Sequence, residues 1–313
     1  MTGTSDLIER LRARGARRVA LQFPEGLKRR SFAVSSDLRD AGFSVIINGD
    51  PCYGACDLAL DTLAYADVLV HFGHTPLSSR EDVLYEPFVM DFEPDVLAIV
   101  LPLLTGKCIG LVTTAQHAHM VPVMQQFLKD RGITCRVSSG NKRTPLPGQV
   151  LGCSYAAARE TGTDEILFVG TGEFHPLGVA LATGSRVIAL DPYTGIARQI
   201  DASRLLRKRF GLIEIAKKAS HFGIITGTKS GQLRMELAER LSTLHQHAIV
   251  ITMREVNPDE LINLGFPVYV NTACPRLAFD DQSRFPVPVI TPQEFEIVCG
   301  VRTWDEYTID EIP

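Results

Sequence analysis

Apolar residues along this chain fall in short blocks, separated by segments that are helix-length or rich in Gly and Pro. RVALQF at 18–23 predicts a strand, followed by FPEGL and a helical stretch to about Arg39. SVIING at 44–49 predicts a second strand that runs into the loop GDPCYGACD, and DLALDTLAY a short helix. DVLVHF at 67–72 predicts a third strand ending in GHTPL, with VLYEPFVM as a candidate fourth. The pattern then restarts. CIGLVTT at 108–114 is a strand, HAHMVPVMQQFLKDRG a helix and ITCRVSS a strand. The polar loop GNKRTPLPGQVLG delivers Cys153 to the start of the helix SYAAARET, and EILFVGTG and RVIALDP continue as strands around EFHPLGVALATG. After the basic helix SRLLRKRFGLIEIAKKA it restarts once more, with FGIITGTKSGQ at 222–232 as strand and glycine-rich loop. The helix LRMELAERLSTLHQH, the strand AIVITM, the helix NPDELINLG and a strand FPVYVNTACP ending at Cys274 follow. FPVPVITPQEFEIV predicts a proline-rich wrap-around tail.

Short β-rich runs alternating with helical segments indicate βαβ units and a parallel sheet. The expected fold is α/β, with three similar small parallel-sheet, Rossmann-like domains over 1–103, 104–202 and 203–313. Each domain carries one cysteine in a Gly- or Pro-flanked loop: Cys56, Cys153 and Cys274. Cys56 and Cys153 follow the second strand of their units and Cys274 the third, yet all three fall at carboxyl ends of strands, where open α/β sheets bind ligands. Arranged around a pseudo-threefold axis, strand ends inward, the three units converge their cysteines on one central point.

Composition narrows the classes. At 313 residues, 45% apolar and 22% charged, the chain is an ordinary globular one. Its net charge of −4 disfavours a large nucleic-acid face. No secretory leader or apolar run of membrane-spanning length is expected, so the reading is cytoplasmic, without membrane or direct nucleic-acid partner. In a reducing compartment seven cysteines read as buried thiols, catalytic thiols or metal ligands rather than disulfides.

Two readings of the loop cysteines stand on spacing alone: an iron–sulfur cluster held by three thiolates with one iron open, or small buried hydrophobes. Cys108, Cys135 and Cys299 take the second reading, and Cys52, sharing a loop with Cys56, is ambiguous. The strand-end loop TGEFHPLG, with Gly172, Glu173 and His175, offers a cradle for a carboxylate or phosphate, or is an ordinary βα turn. Thr114 and Gln116 in TTAQHAH, Gln232 in the 226–232 loop and Arg276 beside Cys274 are further candidates to hold a polar ligand. His71 and His74 in HFGHT bind a metal or serve as satisfied structural histidines, and RLLRKRF at 204–210 reads as a solvated helix face. No P-loop, G-x-S-x-G, H-E-x-x-H or intact G-x-G-x-x-G is present.

Taken in order, FPEGL, GD-x-x-YGACD, HFGHTPL, LGCS, GTGEFHPLG, LDPYT and N-T-A-CPR resemble the diphthamide-biosynthesis enzymes called 2-(3-amino-3-carboxypropyl)histidine synthases, over roughly residues 15–300. The compact single chain is similar to the archaeal form. The resemblance implies a 4Fe–4S cluster held by one cysteine per domain, falling on Cys56, Cys153 and Cys274, with Cys52 outside the pattern. It further implies a homodimer, an electron donor, and S-adenosylmethionine as substrate. Electron transfer to the sulfonium would break the bond to the methionine γ-carbon. The resulting 3-amino-3-carboxypropyl radical would add to C2 of a histidine in translation elongation factor 2. Thr114, Gln116, Gly172, Glu173, His175, Gln232 and Arg276 are the candidates to bind S-adenosylmethionine. A quinolinate-synthase-like dehydratase resembles the same threefold plan, and a non-enzymatic protein with a closed metal site is the reading from another class.

Overall fold

The computed structural model describes residues 4–77 and 79–312; the first three positions of the amphipathic N-terminal segment lie outside them. Among the described residues, thirteen strands form three sheets. The first contains β1 (Arg18–Gln22), β2 (Ser44–Ile47), β3 (Val68–Phe72) and β4 (Val83–Glu86), in the order β2-β1-β3-β4. The second contains β5 (Cys108–Thr113), β6 (Thr134–Arg136), β7 (Glu165–Val169), β8 (Arg186–Asp191) and β9 (Ile196–Gln199), in the order β6-β5-β7-β8-β9. The third contains β10 (Phe222–Gly227), β11 (Ala248–Met253), β12 (Tyr269–Asn271) and β13 (Val289–Ile290), in the order β11-β10-β12-β13. One topology is thus used three times, and every pairing is parallel except β8 with β9. Packing divides the chain into two compact units. Residues 1–91 and 115–119 form the first, with the first sheet; 92–114 and 120–313 form the second, with the other two.

The sequence pattern explains which strands are central. The five residues of β3 and of β7 and the six of β10 are all buried, as strands covered on both faces must be. The neighbours β2, β6 and β11 retain exposed positions because they lie at sheet edges.

Four readings are corrected. The 285–298 segment is not a wrap-around tail: it supplies β13 and the helix Pro292–Val298. Pro292 sits in the first turn, where its missing N–H costs nothing, and Thr291 and Glu294 cap each other's backbone in a capping box. β9 was not expected; DPYTG makes a hairpin in which the Asp191 carboxylate accepts from the backbone N–H groups of Tyr193 and Thr194. Third, the 204–210 run is not wholly solvated. Arg209 is 1% exposed and makes a two-pronged ion pair with buried Glu294, while also donating to the carbonyls of Ala278 and Val289. Cys108 is likewise exposed rather than a buried hydrophobe, since it opens β5 at the sheet rim.

Candidate metal centre

In the second unit the chain reaches Cys153 along the end of β5. Thr113 donates to Gly148 O at 2.7 Å and Val150 donates to Thr113 O at 2.8 Å. Leu151 and Ser154 then exchange backbone hydrogen bonds of 3.0 and 3.1 Å, so Gly152 and Cys153 occupy the corner of a tight turn. Gly152 is required there: a Cβ would lie 2.2 Å from the Phe174 ring and 3.1 Å from the Arg276 side chain. Ile312 N–H donates to Cys153 O at 2.9 Å, fastening the corner from outside.

Cys274 leaves β12 by a different device. Asn271 accepts from Ala273 N–H at 3.0 Å and donates to Cys274 O at 2.8 Å. Arg234 donates to the carbonyls of Thr272 at 2.6 Å and Ala273 at 3.1 Å, and is itself held by buried Asp310 at 2.7 Å. Cys153 and Cys274 both lie in electrostatic reach of the buried Tyr155 hydroxyl. Burial pushes that phenol's pKa up, and the Cys153 thiol, the Asp280 carboxyl and the Cys274 thiol add to the shift against Arg276. Tyr155 therefore stays protonated. Both cysteines are half-buried and outside any disulfide, the state in which thiols serve as ligands.

The other second-unit candidates are placed as follows. Arg276 is exposed, lies 4.9 Å from the Phe174 ring centroid and pairs with Asp280 at 2.8 Å. His175 is half-buried, stacked at 6.1 Å on Phe168; burial, then the charge of Arg276, lowers its pKa to about 4. Gly172, at φ +80°, precedes the helix Phe174–Thr183, and Glu173 pairs with Arg198 at 2.7 Å. Gln232 is buried in the loop after β10, and Thr114 is half-buried after β5. Tyr155, Arg234 and Asn271 were not singled out from sequence. Asn271 beside the cysteine loop carried a signal, whereas Arg234 looked like one more helix cation.

In the first unit Cys56 is half-buried in the loop after β2, and its sulfur lies 3.3 Å from a Cβ placed on Gly54. Gln22, buried at the end of β1, pins the chain just beyond it. Its Nε2 donates to Asp57 O at 2.6 Å, and its Oε1 accepts from Ala59 N–H at 3.1 Å. His71 and His74 lie beneath the same loop with Cys52; burial holds their pKa values down to about 3 and about 4, so both rings are neutral. Gln116 belongs to this unit too, accepting from Met90 N–H at 2.9 Å.

The donor set suits an iron–sulfur cluster: half-buried thiols at strand-end turns, with backbone fastened on either side. Comparison with known proteins adds to this. The family model described as "Putative diphthamide synthesis protein" matches residues 23–309. The 2-(3-amino-3-carboxypropyl)histidine synthase of Pyrococcus horikoshii is 38% identical, over 98% of this chain and 92% of that one. Subunit 1 of the human enzyme is 30% identical over 97% of this chain and 73% of its own length. A crystal structure of Dph2 from Pyrococcus horikoshii with a 4Fe-4S cluster superposes with a TM-score of 0.94 at 37% identity, covering 99% of this chain and 93% of that one. Among the described residues, no helix is long and apolar enough to cross a membrane.

Proposed function

Because this chain belongs to the diphthamide-synthesis family, we propose that it performs the first step of diphthamide formation, 3-amino-3-carboxypropyl transfer from S-adenosylmethionine to a histidine of translation elongation factor 2. It is an enzyme of the 2-(3-amino-3-carboxypropyl)histidine synthase type. The observation that carries the proposal is the whole-chain likeness to a structure containing a 4Fe-4S cluster.

Cys56, Cys153 and Cys274 would hold the cluster, one from each sheet unit of a threefold arrangement over 1–103, 104–202 and 203–313. When bound and reduced, the cluster supplies the electron that breaks the bond between sulfur and the methionine γ-carbon. The chain's own residues bind and orient. Arg276 presents a guanidinium two residues from Cys274, suited to the substrate carboxylate. His175, neutral at pH 7, offers one donor and one acceptor to the amino-acid part. Gly172, Gln232, Thr114 and Gln116 supply further polar contacts; Glu173, already paired with Arg198, contributes through the loop backbone. Tyr155 keeps its proton and donates it to Gly152 O at 3.4 Å, at the turn that carries Cys153. The protein acts as a homodimer, with an external electron donor, in the cytoplasm.

Anaerobic protein given S-adenosylmethionine, dithionite and elongation factor 2 should release methylthioadenosine and add the aminocarboxypropyl group to one histidine. Cys153→Ala should fold yet lose the 4Fe–4S absorption and both products. A normal cluster spectrum in that variant would refute the ligand assignment; an intact cluster without methylthioadenosine would refute the reaction.

A further inference from the structure

Cys52, His71 and His74 form a second donor set, outside the proposed cluster ligands. One ligand atom from each lies within 4.8 Å of the other two; Cys52 and His71 are buried and His74 half-buried. The neighbouring hydrogen bonds fix the tautomer of His71. Gln22 Nε2 donates to Asp57 O at 2.6 Å, which orients the amide. Gln22 Oε1, an acceptor only, then faces His71 Nδ1 at 2.8 Å, so Nδ1 carries the hydrogen. His71 Nε2 is left with a bare lone pair, directed at His74 Nδ1 2.9 Å away. This is how metal-binding imidazoles are held: one ring N–H given to an oxygen, the other nitrogen presented to the ion.

We propose that Cys52, His71 and His74 bind one divalent cation of the zinc class, with a fourth coordination position open. Two imidazoles and a thiolate suit zinc, whereas magnesium and calcium require oxygen donors. The cation takes the place of the hydrogen between the two rings, His74 moves its proton to Nε2, and the Cys52 thiol releases one proton to solvent. Because Cys52 and Cys56 share a loop, the ion fastens the segment that carries Cys56.

The site is independent of the cluster assignment and is tested without it. Full-length chain with Cys56, Cys153 and Cys274 all replaced by Ala is titrated anaerobically with Co2+. One equivalent should bind, with a thiolate-to-cobalt charge-transfer band that Zn2+ abolishes. Adding Cys52→Ala should remove the band, and His74→Ala or Gln22→Met should weaken binding about 10-fold or more. A folded triple variant that binds no Co2+, or a band that survives Cys52→Ala, overturns the proposal. If the triple variant does not fold, zinc content of the otherwise unmodified chain decides. About one zinc per chain, lost in Cys52→Ala, supports the site, and equal content in the two proteins overturns it.

Discussion

At the residue scale, His175 couples the candidate site to pH. Its ring is stacked on Phe168 and set edge-on to Phe174. Burial first, and then Arg276, lowers its pKa from 6.5 to about 4. The unfolded chain therefore takes up this proton at a higher pH than the folded chain. The stability involved is fully present above pH 6.5 and is lost as pH falls towards 4, on the order of 3 kcal/mol for this group. His71 and His74 act with the same sign. Urea midpoints should fall between pH 7 and 4.5, and His175→Gln should flatten the decline; parallel curves would show that this ring is not shielded. The cysteine positions were legible in sequence because Gly and Pro flank them. Tyr155 and Arg234 were not, since an aromatic in a helix start and a cation in a helix carry no mark of what they touch.

At the element scale, the helix Ser203–Ala216 shows why a charge run misleads. Its basic residues look alike in sequence, but the one facing the third-sheet elements is buried against Glu294, whose own position is set by the capping box at Thr291. Removing one member strands the other. Arg209→Met or Glu294→Gln should cost about 3–5 kcal/mol, while an apolar replacement of both should recover most of it. Chemical denaturation of the two single variants and the double variant measures this directly. Additive losses in the double variant would show that the two side chains do not act as a pair. Proline content similarly disguised β13, because Pro288 and Pro292 bracket a strand of only two residues.

At the scale of the whole molecule, the last residues act as a strap on the second unit. Ile309 and Ile312 are buried, Asp310 holds Arg234, Glu311 pairs with Arg159 and accepts from Tyr155 N–H, and Ile312 N–H reaches Cys153 O. The strap thus bears on the backbone of both the Cys153 and the Cys274 loops. Truncation after Tyr307 should lower Tm by several degrees and reduce the iron retained after reconstitution. A truncated chain with full iron content would show that the loops hold their shape without the strap.

The sequence alone determined the alternation of strands and helices, the two restarts that make three units, and the three cysteine loops. These rest on local patterns: apolar blocks of strand length, glycine and proline at turns, and a cysteine placed after a strand. The separations of 97 and 121 residues between Cys56, Cys153 and Cys274 follow from one cysteine loop per repeat. Tertiary structure decided what depends on long-range approach. It selected which arginine of a basic run is buried, set Arg234 on the Cys274 loop and turned Gln22, His71, His74 and Cys52 towards one another. Such contacts join positions far apart in the chain, where packing and hydrogen-bond satisfaction choose the partner. The cysteine loops themselves could be found from sequence, but what holds them in place could be seen only in the folded chain.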